Sequence, residues 1–216
     1  MNTTTPTARH EQIASRFRVG STRHRVTILH DDGLYRHMRW ATPRTVGYLY
    51  ELVTWPGWLA IRGTANASYM FGHATDMLEF FRGADVSPGS WAERLPRGRD
   101  SVLEYSADVT RRLVRERTSA AIQSGTAPRG LGVAVRKGLL TSYDLYYEGT
   151  AKDALRAFEY KGWSFGLGGR SSDLRDWAVR GWELRDYRLD YLLACQAVAA
   201  IVSAYDEATA AAGGAA

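Results

Sequence analysis

The chain has 216 residues, 45% of them hydrophobic and 24% charged, so it can bury a core of ordinary size and is not globally disordered. Its single cysteine, Cys195, excludes an intramolecular disulfide, and together with the polar N-terminus it predicts a reduced, cytoplasmic protein. The formal charge of +5 comes from 28 Lys and Arg against 23 Asp and Glu, and it favours negatively charged partners.

Residues 1–20 are predicted to form a flexible basic arm, because this terminal stretch is polar and rich in Thr and Arg. The first 30 residues carry five Arg and one Glu, a net charge of +4 and most of the chain's excess. Such an arm attracts phosphate, or it simply keeps the chain soluble. A single domain is expected over residues 21–210, followed by a disordered Ala/Gly tail at 211–216.

Apolar stretches in the first half are separated by turn signals, a pattern typical of β-strands. They are RVTILH (25–30), LYRHMRW (34–40), YLYELVTW (48–55), WLAIRG (58–63) and ASYMFG (67–72). Asp32-Gly33 favours a type I′ turn between the first two, and Pro56-Gly57 marks the turn between the third and fourth. The N-terminal half therefore predicts an antiparallel meander of about five strands.

Helix signals dominate the second half. Thr75 is placed to cap a short helix through DMLEFFR, and Ser101 with Glu104 forms a capping box before a longer one. A last helix is predicted from about residue 182 to about residue 210, with apolar side chains every three or four positions that indicate a core-facing stripe.

The apolar run at 191–205 within this last helix is short for a membrane span and is interrupted by Gln196, so a buried helix is predicted instead. Strands in the first half and helices in the second predict an α+β fold. In this fold, the meander packs its apolar face against the C-terminal helices.

The octet HDDGLYRH, residues 30–37, concentrates histidines and acids in the first hairpin. A turn at Asp32-Gly33 pairs His30 with Tyr35 and Ile28 with His37, and side chains then alternate between two faces. The more apolar face is expected to point inward, with Thr27, Leu29, Leu34, Arg36, Met38 and Trp40 on it.

Arg36 is thus predicted to point toward the core, where a guanidinium needs a carboxylate partner. Asp31 lies on the same face and Asp76 is a second candidate, so a structural ion pair is expected among these three residues. Glu183 and Asp186 are further candidates.

The opposite, outward face of this hairpin carries His30, Tyr35, His37 and Arg39. These side chains could hold a phosphate through charge-assisted hydrogen bonds, or stack a base on Tyr35, although such a strand is often only solvated. His30 and His37 are diagonal neighbours in the predicted register and no third ligand is defined, so no metal site is predicted. Neither a cofactor nor a catalytic residue is assigned.

Two glycine-rich stretches are candidate phosphate loops. FGLGGRSSDL places two glycines and Arg170 before a possible helix at Ser172, an arrangement that can bind phosphate through backbone N–H groups and the Arg170 side chain. The stretch at 127–138 lacks a preceding strand and the Walker spacing. A loop needs glycine in any case, so both patterns are weak.

Aromatic side chains crowd the second hairpin, where Tyr48, Tyr50, Trp55 and Trp58 occur within eleven residues. Exposed, they would form a stacking platform or a protein interface; buried, they are plain sheet core. The sequence leaves both alternatives open.

Several of these segments resemble a family of bacteriophage and prophage proteins of unknown function. The resemblance spans most of residues 30–206. The matching motifs are Asp31 to His37 (DDGLYRH), Thr54 to Gly57 (TWPG), Tyr69 to Phe71 (YMF), Asp76 to Phe81 (DMLEFF), Trp91 to Glu93 (WAE), Trp182 to Tyr187 (WELRDY) and Tyr205-Asp206.

This chain departs from the family pattern at two places. The family's Gly-Asp-Met-Gly turn is replaced by Gly63 to Ser68, so any role of that Asp is missing, and the last helix is richer in Ala, Leu and Val than in aromatics. The resemblance implies a phage-encoded protein in the host cytoplasm, and by analogy an accessory role that acts on host processes, such as defence.

Three functional hypotheses follow. The first is a non-enzymatic binder of an anionic partner, a nucleic acid or nucleotide-like ligand, on the basic arm and the His/Tyr/Arg face. The second is a protein-interaction module that inhibits a host defence factor through an exposed aromatic patch. The third is a nucleotide-directed hydrolase that uses His37 with Asp31 or Asp76.

Overall fold

The computed structural model describes residues 8–43, 49–63, 67–83, 85–166 and 181–213. The elements of the first part are α1 (Ala8–Ser21), β1 (Arg25–Asp32), β2 (Tyr35–Ala41), β3 (Tyr50–Trp55), β4 (Trp58–Gly63), β5 (Ser68–Gly72), α2 (Met77–Phe81), α3 (Pro88–Ala92) and a 3-10 helix (Arg99–Val102). The remaining elements are β6 (Leu103–Tyr105), α4 (Ala107–Gln123), α5 (Leu131–Val135), a π-helical turn (Arg136–Leu140), a 3-10 helix (Tyr143–Tyr146), α6 (Glu148–Ala157), β7 (Glu159–Tyr160), β8 (Trp163–Ser164), β9 (Arg185–Tyr187) and α7 (Leu189–Gly213).

The chain divides into two compact units, and the domain predicted over residues 21–210 includes parts of both. The first unit contains the described residues up to Val102 together with those from Tyr187 onward, and the second contains Leu103–Asp186. The first unit is therefore assembled from both ends of the chain.

Strands β1 to β5 form one antiparallel sheet in the order β1-β2-β3-β4-β5, so the predicted five-stranded meander and the α+β class are confirmed. Alternation along the strands gives the sheet a buried inner face. That face carries Met38, Trp40, Tyr50, Leu52, Thr54, Leu59, Ile61 and Phe71, all less than 5% exposed.

Helix α7 packs against the inner face through its apolar stripe, as its spacing predicts. Tyr191, Cys195, Val198 and Val202 are almost fully buried along this stripe. The helix begins at Leu189 and not near residue 182, because Arg185–Tyr187 forms β9. By length and composition α7 could span a membrane, but half of its most apolar window is buried within the protein.

Residues 8–21, which the sequence analysis placed largely in a flexible arm, form helix α1. Phe17 is buried and its ring stacks on Trp40 with 5.5 Å between centroids. Phe17 is the only residue of α1 that is buried, so the helix shows little apolar periodicity in sequence. Residues 1–7 lie outside the described residues.

The turn of the first hairpin lies one residue later than predicted, which moves the pairing of His30 by two residues. Gly33 and Leu34 make the turn, and Gly33 has a φ of 58° at the first central position, as a type II′ turn requires. Asp32 therefore pairs with Tyr35, and His30 pairs directly with His37.

A bulge in β1 changes the register of the β1–β2 pairing again, farther from the turn. The register shifts between Ile28 and His30, which leaves Leu29 without a partner in the ladder. Strand β2 presents its faces as predicted, with Arg36, Met38 and Trp40 inward. In β1, however, Val26 and Ile28 lie opposite Trp40 and Met38, on the inner side and not the outer one.

The second unit has a core of its own. It is formed by Val114, Ala121, Leu131, Val135, Leu139, Leu155, Trp182 and Leu184. Helix α4 begins after Ser106, whose Oγ accepts a hydrogen bond from Val109 N, and not at the Ser101 box, because Leu103–Tyr105 pairs with β9. The glycine-rich stretch around residues 130–138 is largely helical, as α5 and the π-helical turn.

Replacing Phe17 with Ala tests whether α1 is docked. We expect the Phe17→Ala variant to lose about 3 kcal/mol of unfolding free energy, because it removes a buried ring that stacks on Trp40. Val19→Ala on the same helix is the control, since Val19 is 73% exposed and its truncation should change little. Urea denaturation measures both, and equal stabilities would contradict the docking of α1.

Candidate functional site

The sheet face opposite the inner face, here called the outer face, is the candidate site. It carries His30, Tyr35, His37, Arg39, Glu51, Val53, Trp55, Trp58, Ala60, Arg62 and Met70, as alternation and register place them. Large apolar side chains remain in contact with water there: Tyr35 is 55% exposed, Val53 37% and Met70 38%.

Two arginines and a glutamate form a row across three strands of the outer face. Arg39 pairs in register with Glu51, and Glu51 with Arg62. Arg39 donates from Nε (3.1 Å) and Nη2 (2.8 Å) to Glu51 Oε1, while Arg62 donates from Nε (2.7 Å) to Oε2. We call this row the arginine–glutamate triad.

The triad carries a net positive charge. Hydrogen bonds from Arg39, helped by those from Arg62, lower the pKa of Glu51 despite its burial, so the carboxylate is ionised near neutral pH. The side chains of Arg39 and Arg62 are 51% and 73% exposed, against 9% for Glu51. Each guanidinium has five N–H donors, so both retain donors for an anion after binding Glu51.

A shallow, open depression of about 310 Å³ adjoins the triad. Val53, Ala60 and Met70 provide apolar lining, and Glu51 and Arg62 belong to both the depression and the triad. Ser68, Ile61 and Tyr69 complete the lining. Its size is at the lower end of small-molecule sites, and an apolar surface with a few polar groups is their usual composition.

The predicted phosphate ligands are brought together only in part. His30 and His37 are direct cross-strand partners, and not the diagonal neighbours that the predicted register gave. His37 also pairs with Val53 of the depression. Arg39 shares the face but is held by Glu51, and Arg170 lies outside the described residues.

The sequence predicts no metal site at His30 and His37. Among the described residues, there is no group of three or more His, Cys, Asp or Glu side chains placed to hold a metal ion.

Arg36 lies on the inner side of the hairpin and forms a two-point ion pair with Asp76. Its Nη1 and Nη2 donate to the two Asp76 carboxylate oxygens at 3.0 Å each. Asp31 Oδ1 lies 3.8 Å from Arg36 Nε, and the Tyr205 hydroxyl donates to Asp31 Oδ2 at 2.9 Å. The network thus joins the hairpin to the start of α2 and to α7.

Asp76 has a second role as the N-cap of α2, where it accepts a hydrogen bond from Leu78 N at 2.9 Å. Burial opposes its ionisation, but hydrogen bonds from Arg36 and Leu78 N outweigh burial and lower the pKa of Asp76. The Asp76 carboxylate therefore has a structural role, since it binds Arg36 and caps α2.

The residues of the hydrolase hypothesis are not brought together. His37 points to the outer face, whereas Arg36, with which both Asp31 and Asp76 associate, points to the inner side. The sheet therefore separates the proposed base from either acid. A general base and its orienting carboxylate need hydrogen-bond contact, which this arrangement does not provide.

Sequence reasoning missed Glu51, Arg62 and Met70. The available signal was Glu51 itself, a charged residue inside the apolar stretch YLYELVTW with arginines on both neighbouring strands. In the aromatic hairpin, Tyr50 is core, while Trp55 and Trp58 are partly exposed on the outer face. Tyr48 lies outside the described residues.

No model of a known protein family, no curated protein and no solved structure matches this chain. The resemblance to phage proteins rests on its motifs and stays a prediction. The chemistry of the residues described above is therefore the basis for proposing a function.

We expect Asp76→Asn to destabilise the protein by about 3 kcal/mol, because it leaves the buried Arg36 charge without its main partner. In the unchanged protein, the lowered pKa of Asp76 adds stability above the ordinary Asp pKa of about 4, and this is lost as pH falls below it. The Asp76→Asn variant should therefore lose less unfolding free energy than the unchanged protein when the pH falls below about 4.

Asp85→Asn is the matched control, since Asp85 is an exposed carboxylate of the same unit. Denaturant titrations over a series of acidic pH values measure both variants. Identical acid profiles for Asp76→Asn and Asp85→Asn would contradict a structural role for the Arg36–Asp76 pair.

Proposed function

We propose that this chain is a non-enzymatic accessory protein of bacteriophage type that binds an anionic partner, a nucleic acid or nucleotide-like ligand, on the outer face. The observation that carries the proposal is the triad, in which two exposed guanidinium groups share one buried carboxylate beside an apolar depression. Its excess positive charge and its spare N–H donors suit a phosphate.

The two parts of the site match the two parts of a nucleotide. The flat ring of a base would lie on Val53, Ala60 and Met70, where apolar contact replaces water. The phosphate would accept hydrogen bonds from Arg39 and Arg62, whose guanidinium groups are already oriented by Glu51. Orientation in advance reduces the entropy lost when the ligand binds.

Further groups on the outer face and α1 are compatible with an extended anion. Tyr35 offers an exposed ring for stacking at the hairpin end, and His30 and His37 add ring nitrogens that can hydrogen-bond a ligand. Arg16 and Arg18 on α1 remain exposed and contribute to long-range attraction of polyanions.

A second candidate function is a protein-interaction module that blocks a host factor. The observation in its favour is the exposure of Tyr35, Val53 and Met70 on one sheet face, since exposed apolar patches often mark interfaces. Pulldown from nuclease-treated host lysate, compared for the unchanged protein and a Val53→Asp/Met70→Asp variant, separates this candidate from nucleic-acid binding.

The anion proposal is tested with the triple variant Arg39→Gln/Glu51→Gln/Arg62→Gln. Changing Glu51 as well avoids a buried carboxylate without partners. We expect affinity for fluorescein-labelled single-stranded DNA, RNA or ATP to fall by about tenfold or more, because two charge-assisted contacts are lost. For the polymers, the dependence on salt should weaken by roughly one to two phosphate contacts.

Arg97→Gln is the control, because it removes the same net charge from an exposed position on another segment. Fluorescence anisotropy across a salt series measures each affinity. Failure of all three probes to bind at low salt would contradict the proposal, as would a triple variant that binds no differently from Arg97→Gln.

A further inference from the structure

Three exposed tyrosines, Tyr143, Tyr146 and Tyr147, form a cluster in the second unit that the outer face does not involve. Tyr143 is 84% exposed, Tyr146 55% and Tyr147 74%. They occupy the 3-10 helix Tyr143–Tyr146 and the residue after it. Rings this exposed add little to the core, so folding alone does not account for three of them together.

The tyrosine cluster is ordered by ring contacts. The rings of Tyr143 and Tyr146 are stacked, with 5.8 Å between centroids and 27° between planes. The guanidinium of Arg111 on α4 lies 4.6 Å from the centroid of the Tyr146 ring. Stacking and a cation–π contact give the cluster a defined aromatic surface before any partner arrives.

The backbone beneath the tyrosine cluster is fixed on both sides. Leu145 is fully buried, and the Tyr105 hydroxyl donates to its carbonyl at 2.8 Å. Ser142 Oγ accepts from Asp144 N at 3.1 Å, and Thr150 Oγ1 donates to the Asp144 carbonyl at 2.6 Å. A platform held in this way loses little conformational entropy when it binds.

Cations outnumber acids around the tyrosine cluster. The π-helical turn and α4 both pack against the 3-10 helix and carry exposed basic side chains. Each acid on these two elements, on the 3-10 helix and on α6 is engaged by a neighbouring cation or by Ser142. The four elements carry eight cations and five acids: Arg111, Arg112, Arg115, Arg117, Arg136, Lys137, Lys152 and Arg156 against Asp108, Glu116, Asp144, Glu148 and Asp153.

We propose that the tyrosine cluster is a stacking site for the bases of single-stranded nucleic acid. Every base has a flat π-face that packs on an exposed aromatic ring, and flanking cations attract the phosphates. A duplex hides these faces by its own stacking. The excess of cations on the elements packed against these rings favours a polyanion over a neutral protein surface.

This inference does not rest on the outer face, and the two sites have separate tests. The probe is a fluorescein-labelled oligothymidylate of about twelve nucleotides, compared with an abasic strand of the same length and charge. The variants are Tyr143→Ala/Tyr146→Ala/Tyr147→Ala and the corresponding Tyr→Phe triple. Ile122→Ala/Val133→Ala is the control, because both residues are exposed and apolar in the same unit.

We expect the Ala triple to bind oligothymidylate about tenfold or more weakly, and the Phe triple and the control to bind as the unchanged protein does. The abasic strand should bind weakly to every variant. Circular dichroism and thermal denaturation establish that each variant is folded.

Three results would overturn the inference: a folded Ala triple that binds like the unchanged protein, an abasic strand that binds as tightly as oligothymidylate, or a Phe triple that fails as the Ala triple does. A protein partner that requires these tyrosines in the absence of oligothymidylate binding would overturn it too. The tyrosine variants are also measured in the Arg39→Gln/Glu51→Gln/Arg62→Gln background, which keeps the tyrosine cluster and lacks the triad, so failure of one site is distinguishable from failure of the other.

Discussion

The alternation of side chains along β2 is the constraint on which the rest of the first unit depends. Arg36, Met38 and Trp40 point inward, and Tyr35, His37 and Arg39 point outward. A shift of one residue against β3 would place Arg39 in the core and Met38 in water. The pleat therefore places Arg36, which stabilises the fold, on one face of the sheet and Arg39, which belongs to the proposed anion site, on the other.

The inner arginine also explains how the hairpin is held. Arg36 pairs with Asp76, which caps α2, and Asp31 accepts a hydrogen bond from Tyr205 of α7. The Arg36–Asp76 pair contributes mainly through the penalty for breaking it, since both side chains are largely shielded from water. It fixes the end of the hairpin against two helices, while Met38 and Trp40 provide the apolar contact.

Strand content, sheet order and the core stripe of α7 were predictable because apolar periodicity and turn residues are local signals. The hairpin register was not, since Asp32-Gly33 fits a turn either as its central pair or with Gly33 at the first central position. The bulge at Leu29 then re-pairs the rest of β1. The alternatives differ in whether Val26 and Ile28 of β1 face inward, which local turn signals do not specify.

The parts that sequence reasoning missed depend on contacts between distant segments. Helix α1 is held by Phe17 on Trp40 and Tyr50 and by Arg9 and His10 on Tyr187, contacts that leave no apolar periodicity in the helix. The tyrosines of SYDLYY cannot be separated into core and surface by pattern, because only Leu145 among them is buried. The role of Glu51 depends on the register of β3 with β2 and β4, which places it between arginines eleven and twelve residues away.

Glu51 sets the net charge of the triad and therefore the attraction that the proposed site would exert on an anion. The backbones of the strands that flank β3 are about two strand spacings apart, roughly 10 Å, but the Arg39 and Arg62 guanidinium groups both reach the Glu51 carboxylate and repel each other there. A single carboxylate between them relieves this repulsion and orients both groups, yet it cancels only one of the two charges. The face can therefore hold two arginines in a fixed position without damage to the sheet, and it keeps one positive charge for a partner. A second carboxylate at this position would stabilise the arginines further and remove that charge, so the proposed anion site depends on there being a single glutamate between them.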